Sequence, residues 1–192
     1  MDNEKRIMLA IAVYAAIMVM IFHSVAVNAQ LDRRNALALS GNSDISLVEE
    51  EVSDFLIKSA GARMLNAQEG LLATERGGNT SVRQYGELMM KDHSMLLQKI
   101  KVLASERNVS LPNGISGRNA GDHQSLSEER GHEFDEKFVK MLIIDYEKDV
   151  KLFKKATQFN DIEVSSFAQH YLPLIQSHLV KIKNIKSNLN AQ

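Results

Sequence analysis

Two histidines, His93 and His178, and the carboxylate of Asp92 are the residues whose types and spacing could do chemistry. Two imidazoles and a carboxylate form a legitimate ligand set for zinc or iron. Glu69 and Asp145 are further carboxylates that rotation could bring inward. A hydrogen-bonded layer with no metal is the competing use of the same side chains, because buried polar groups can fix helix register. Other chemistries find less support. The one Glu-x-x-His spacing, Glu129 to His132, sits beside Gly131 near a helix start, whereas a di-iron site needs such pairs in mid-bundle. Ser94 follows Asp92-His93 but faces elsewhere on a helix, so no catalytic constellation is expected.

The elements that must position these residues are helices. Traced at alternating three- and four-residue steps, four apolar seams emerge. The first passes through Val52, Phe55, Ser59, Ala62, Asn66, Glu69 and Ala73. The second takes Val82, Tyr85, Met89, His93, Leu96, Ile100 and Leu103. The third takes Val139, Ile143, Tyr146, Val150 and Phe153. The fourth takes Val164, Phe167, Tyr171, Leu174, His178, Ile182, Ile185 and Leu189.

Each seam carries a hydrogen-bonding group near its middle: Asn66, His93, Tyr146 and His178. Folding the chain at the two short connections leaves the partners of each hairpin about four residues apart, or ~6 Å along the axis. All four are therefore expected to meet in one central polar layer, which would satisfy an otherwise costly buried imidazole.

Punctuation sets the helix limits. Ser46 with Glu49 makes a capping-box spacing, and Gly77-Gly78 ends that helix near Arg76. Asn79 or Thr80 opens the second, which runs to about Asn108. LPNGISGRNAGDHQ reads as a loop, with His123 and His132 in or near it and solvated. Ser125 with Glu128 opens the third helix, to about Phe159, and Asn160 with Glu163 the fourth, to about Asn188. Pro173 should kink the fourth helix. No strand-like alternation persists, so the fold class is all-α: an antiparallel four-helix bundle over 46–190.

Residues 1–29 read as a targeting segment. MDNEKR precedes sixteen uncharged, mostly apolar residues, and Val27-Asn28-Ala29 offers small residues for signal-peptidase cleavage before Gln30. A retained membrane anchor is the alternative, although the run is short for a ~20-residue span. Residues 30–45 read as a flexible leader. On either reading the remainder is expected outside the cytoplasm.

With 23 basic and 24 acidic side chains, the chain lacks the basic surplus of a nucleic-acid binder. The lack of cysteine excludes a disulfide framework, thiolate zinc sites and a thiol nucleophile. The remaining partners are an envelope protein or a second copy of the chain, and a membrane only if the N-terminal segment is retained.

The stretches FLIKSA from Phe55 with Met64, YGELMMKDH ending at His93, EFDEKF from Glu133, DYEKDVKLF from Asp145 and FAQHYLPLIQSHL from Phe167 resemble, in order and spacing, the DUF4142 family of exported bacterial proteins. The resemblance covers about residues 50–187. It implies a ferritin-like fold and a location in the periplasm or cell envelope of a bacterium, and it leaves the activity open. It also implies Glu, His, His and His at the four layer positions. Here Asn66 and Tyr146 depart from that pattern, while His93 and His178 keep it.

Overall fold

The computed structural model describes residues 47–115 and 117–191, all but one of the residues from 47 onward that precede the C-terminal Gln192. The targeting segment, the leader and the Ser46 cap lie outside the described residues. Helix α1 runs through 47–76. It is followed by α2 (Thr80–Glu106), α3 (Gly117–Ser127), α4 (Gly131–Ala156) and α5 (Ile162–Leu189). No helix among them is long and apolar enough to cross a membrane.

Contacts between the helices fix their directions. Phe55 packs edge-on against Phe153 at 5.2 Å between ring centroids, and Arg63 pairs with Asp149, so α1 and α4 run antiparallel. Tyr85 meets Phe138 and His93 meets Tyr146, so α2 and α4 run parallel. Arg107, the C-cap of α2, binds Asp161, the N-cap of α5, so those two run antiparallel. The order is up-down-down-up. The two hairpins turn through three and five residues, and one long crossover, 107–130, carries the chain back along the bundle.

Side-chain capping sets several of these ends. Asn79 Oδ1 accepts from the Ser81 backbone N–H at 2.8 Å. Asp161, rather than Asn160, caps α5, its Oδ1 accepting from Val164 N–H at 2.9 Å. Asp161 also takes two hydrogen bonds from the Arg107 guanidinium, at 2.8 and 2.9 Å. That fork holds its carboxyl below the usual carboxylate range. Asp135, near the start of α4, reaches across to accept the Gly78 and Asn79 N–H groups at 3.0 and 2.7 Å. One buried carboxylate thereby satisfies the orphan donors of the α1–α2 turn.

Several expectations are corrected here. The segment 117–127 is a helix, not a loop, and packs Leu126 fully into the core. Ser125 and Glu128 therefore open nothing: Ser125 lies inside α3, and the bundle helix begins at Gly131, which takes φ 62°. His123 consequently sits half-buried on α3, where burial lowers its pKa, while His132 is exposed. The seam of α4 is also rotated: Leu142 and Asp149 are buried, while Ile143 and Val150 lie at its edge. On α1 the buried residue is Arg63, and Ala62 is half-exposed. The α2 seam matches the periodicity from Val82 to Ile100. Helix α5 continues through Pro173.

Helices α1 and α2 cross at glycines. A Cβ on Gly86 would stand 2.6 Å from the Gly70 carbonyl oxygen, and one on Gly70 would stand 2.8 Å from that of Gly86. Only backbone fits between the two helices at this level.

Candidate functional site

Helices α2, α4 and α5 bring four rings together in the middle of the bundle. His93 Nε2 and Tyr146 Oη share a hydrogen bond of 2.7 Å. His178 Nδ1 and Tyr85 Oη share one of 3.1 Å. The imidazole centroids stand 4.7 Å apart, and Tyr146 stacks on His178 at 5.5 Å with 11° between planes. Hydrogen bonding and stacking together fix every ring.

Exposure is 0 % at His93 and Tyr146, 1 % at His178 and 4 % at Tyr85. Burial pushes the His93 pKa well below its ordinary value, and Arg63 and His178 push the same way. His178 falls to about 4; burial is the main cause, opposed by Asp92 and reinforced by Lys181 and Arg63. Both imidazoles are neutral at pH 7. Burial likewise raises both phenols, so the tyrosines keep their protons.

Each imidazole spends one nitrogen on a tyrosine. The other nitrogens, His93 Nδ1 and His178 Nε2, make no hydrogen bond. Asp92 Oδ2 lies 3.3 Å from His178 Nε2, within ion-pair range but off the line of a hydrogen bond. Neutral imidazoles with a free nitrogen are the form that binds a metal. Among the described residues, no three His, Asp or Glu side chains gather closely enough to hold an ion as they stand.

Of the four residues expected in one layer, His93, Tyr146 and His178 are in mutual contact. Asn66 is buried on α1, but it lines a groove between α1 and α4, and its Nδ2 has no partner. Tyr85 belongs to the cluster although periodicity marked it only as an apolar seam position. Its spacing of eight residues from His93, about two helical turns, placed it on the same face.

A second polar group lies on α1 at positions 59, 63, 66 and 69. Ser59, Arg63, Asn66 and Glu69 are 0 to 1 % exposed. Arg63 Nη2 donates to Asp149 Oδ2, while its Nε and Nη1 have no partner. Burial outweighs Arg63 at Asp149, whose carboxyl is raised. Arg63 also stands 5.9 Å over the Phe153 ring. Glu69 has no hydrogen-bond partner at either oxygen, and burial, then Asp145 and Asp122, raise its pKa to about 8. It is a neutral acid at pH 7. Neither Arg63 nor Asp149 was legible as a site residue, because arginine and aspartate at helical spacing ordinarily face solvent.

The molecule so defined is an all-α protein of four long helices with a short crossover helix and a buried, uncharged His–Tyr cluster. The chain belongs to the DUF4142 family, a domain of unknown function, whose family model matches residues 40–185. No curated protein and no solved structure matches it.

Proposed function

We propose that this chain is an exported bacterial cell-envelope protein whose ferritin-like bundle is a non-enzymatic structural and interaction module, with the His–Tyr cluster setting helix register. The carrying observation is the closure of the cluster: each imidazole is buried, neutral and hydrogen-bonded to a tyrosine. The up-down-down-up order with one long crossover supports the ferritin-like assignment. Export rests on the sequence pattern of residues 1–29.

A second reading has its own observation. His93 Nδ1 and His178 Nε2 are both buried without a hydrogen bond, and the Asp92 carboxylate is beside the latter. Zinc or iron would find its ligands there after a small rotation of these rings, with the tyrosines orienting the imidazoles from behind.

Elemental analysis of the full chain, purified without chelator or affinity metal, separates the two. The register reading expects no stoichiometric metal, even after incubation with zinc and iron, and lower melting temperatures for His93→Ala and His178→Ala. About one zinc or iron per chain, lost in both variants, would replace it with the metal reading.

A further inference from the structure

Helices α1 and α4, with Asn119 of α3, line a groove of about 480 Å³. It lies within the size range of small-molecule sites. Apolar side chains, Ile57, Leu65 and Leu152, line it together with polar ones, Lys58, Asn119, Lys148 and Asp149 among them. Asn66 is at the floor, 1 % exposed, with an amide Nδ2 that has no partner. Asp145 stands on the wall, one oxygen taken by Lys148 at 2.8 Å.

Gly61 is the second, independent sign. It lies inside α1, where glycine weakens a helix relative to alanine. Gly70 and Gly86 are explained by the crossing of two backbones. Gly61 is not: a Cβ there would meet nothing within 4 Å, and its backbone has ordinary helical φ. What the missing side chain leaves is open space in the groove that Gly61 lines.

We propose that this groove binds a small amide, a capped amino acid or dipeptide with a branched apolar side chain. The ligand carbonyl accepts from Asn66 Nδ2, the adjacent N–H donates to Asp145, and the side chain fills the space beside Gly61. A donor left bare at a buried floor and an acceptor on the wall match the two faces of an amide group. The assignment does not depend on the role of the His–Tyr cluster.

The test is titration of the full chain with N-acetyl-L-leucinamide, followed by amide chemical shifts. Saturable shifts at groove residues are expected, with a dissociation constant on the order of 1–10 mM for so small a ligand. Gly61→Leu fills the groove and should weaken binding about tenfold or more while melting no lower than the native chain. Ile57→Ser, on a wall residue 39 % exposed and so tolerant of change, should weaken binding as well and decides the matter if Gly61→Leu does not fold. No saturable shift in the native chain, or equal binding by the variants, overturns the proposal.

Discussion

Replacing Tyr146 by phenylalanine removes one oxygen atom and changes almost nothing else in shape. The ring is 0 % exposed, so no apolar surface is gained or lost. The lost oxygen is the only hydrogen-bond partner of His93 Nε2, and His93 Nδ1 already has none. The variant therefore leaves a whole imidazole unpaired at 0 % exposure. A buried group left unsatisfied costs about 1–3 kcal/mol, and about 2 kcal/mol is expected here. For a domain of this size that is a fall in melting temperature of about 4–8 °C. Urea unfolding at pH 7 reads the same loss as a lower midpoint with unchanged slope. The double variant Tyr146→Phe with His93→Phe removes the stranded imidazole too. It should recover about 1–2 kcal/mol of the summed single losses, since replacing both partners is far cheaper than removing one. A loss below about 0.5 kcal/mol in the single variant, or strict additivity in the double, would refute the claim that the bond holds the cluster together.

Glu69→Gln tests the neutral acid on α1. Its folded pKa, about 8, lies above the ordinary value of 4.5, so the stability it gives is full below pH 4.5 and is lost as pH rises to 8. Relative to the variant, the native chain should weaken by about 3–5 kcal/mol over that window and level off above it, read by melting from pH 4 to 9; a pH-independent difference would show that Glu69 does not ionise there. His178 titrates in the opposite sense: with a folded pKa of about 4, its contribution is full above pH 6.5 and falls as pH drops toward 4, a loss His178→Gln should abolish in the same melts. Asp149→Ala strands Arg63 in the core and should cost about 3–5 kcal/mol in urea unfolding, whereas Arg63→Met with Asp149→Leu should cost far less. Gly86→Ala drives a methyl to 2.6 Å from the Gly70 carbonyl oxygen and should cost about 1–3 kcal/mol by thermal melting; a neutral result would mean that α1 and α2 separate freely.

The all-α class and the four long helices were legible because their seams repeat over many turns. Helix α2 is the clearest case, since its apolar residues alternate cleanly with charged ones and its seam from Val82 to Ile100 is the buried face. Helix α4 was harder. Leu142 and Ile143, both apolar, compete for one face, and Asp149 competes with Val150, where periodicity favours the apolar residue. The fold buries Asp149 because Arg63 waits for it on α1, a contact 86 residues away that no local pattern carries. Helix α3 was hidden by its glycines, and its one strong core contact, Leu126, lies near its end. The cluster was half legible. His93, Tyr146 and His178 followed from register alone, Tyr85 passed as an ordinary aromatic, and Asn66 shared the level but faces the α1–α4 groove.

The buried polar atoms without a partner are unevenly spread between the cluster and α1. Around the His–Tyr cluster, all four rings are hydrogen-bonded in pairs, and two ring nitrogens remain. On α1 the balance is different. Ser59 Oγ, two nitrogens of Arg63, Asn66 Nδ2 and both oxygens of Glu69 are buried without a hydrogen bond over three helical turns. Apolar residues at these positions would make a more stable bundle, as buried ionic groups replaced by hydrophobic ones commonly do. Local rules broken without a structural gain tend to mark function. The cluster is therefore the better candidate for architecture, and the α1–α4 face, with its groove and its glycine, the better place to look for what the protein does.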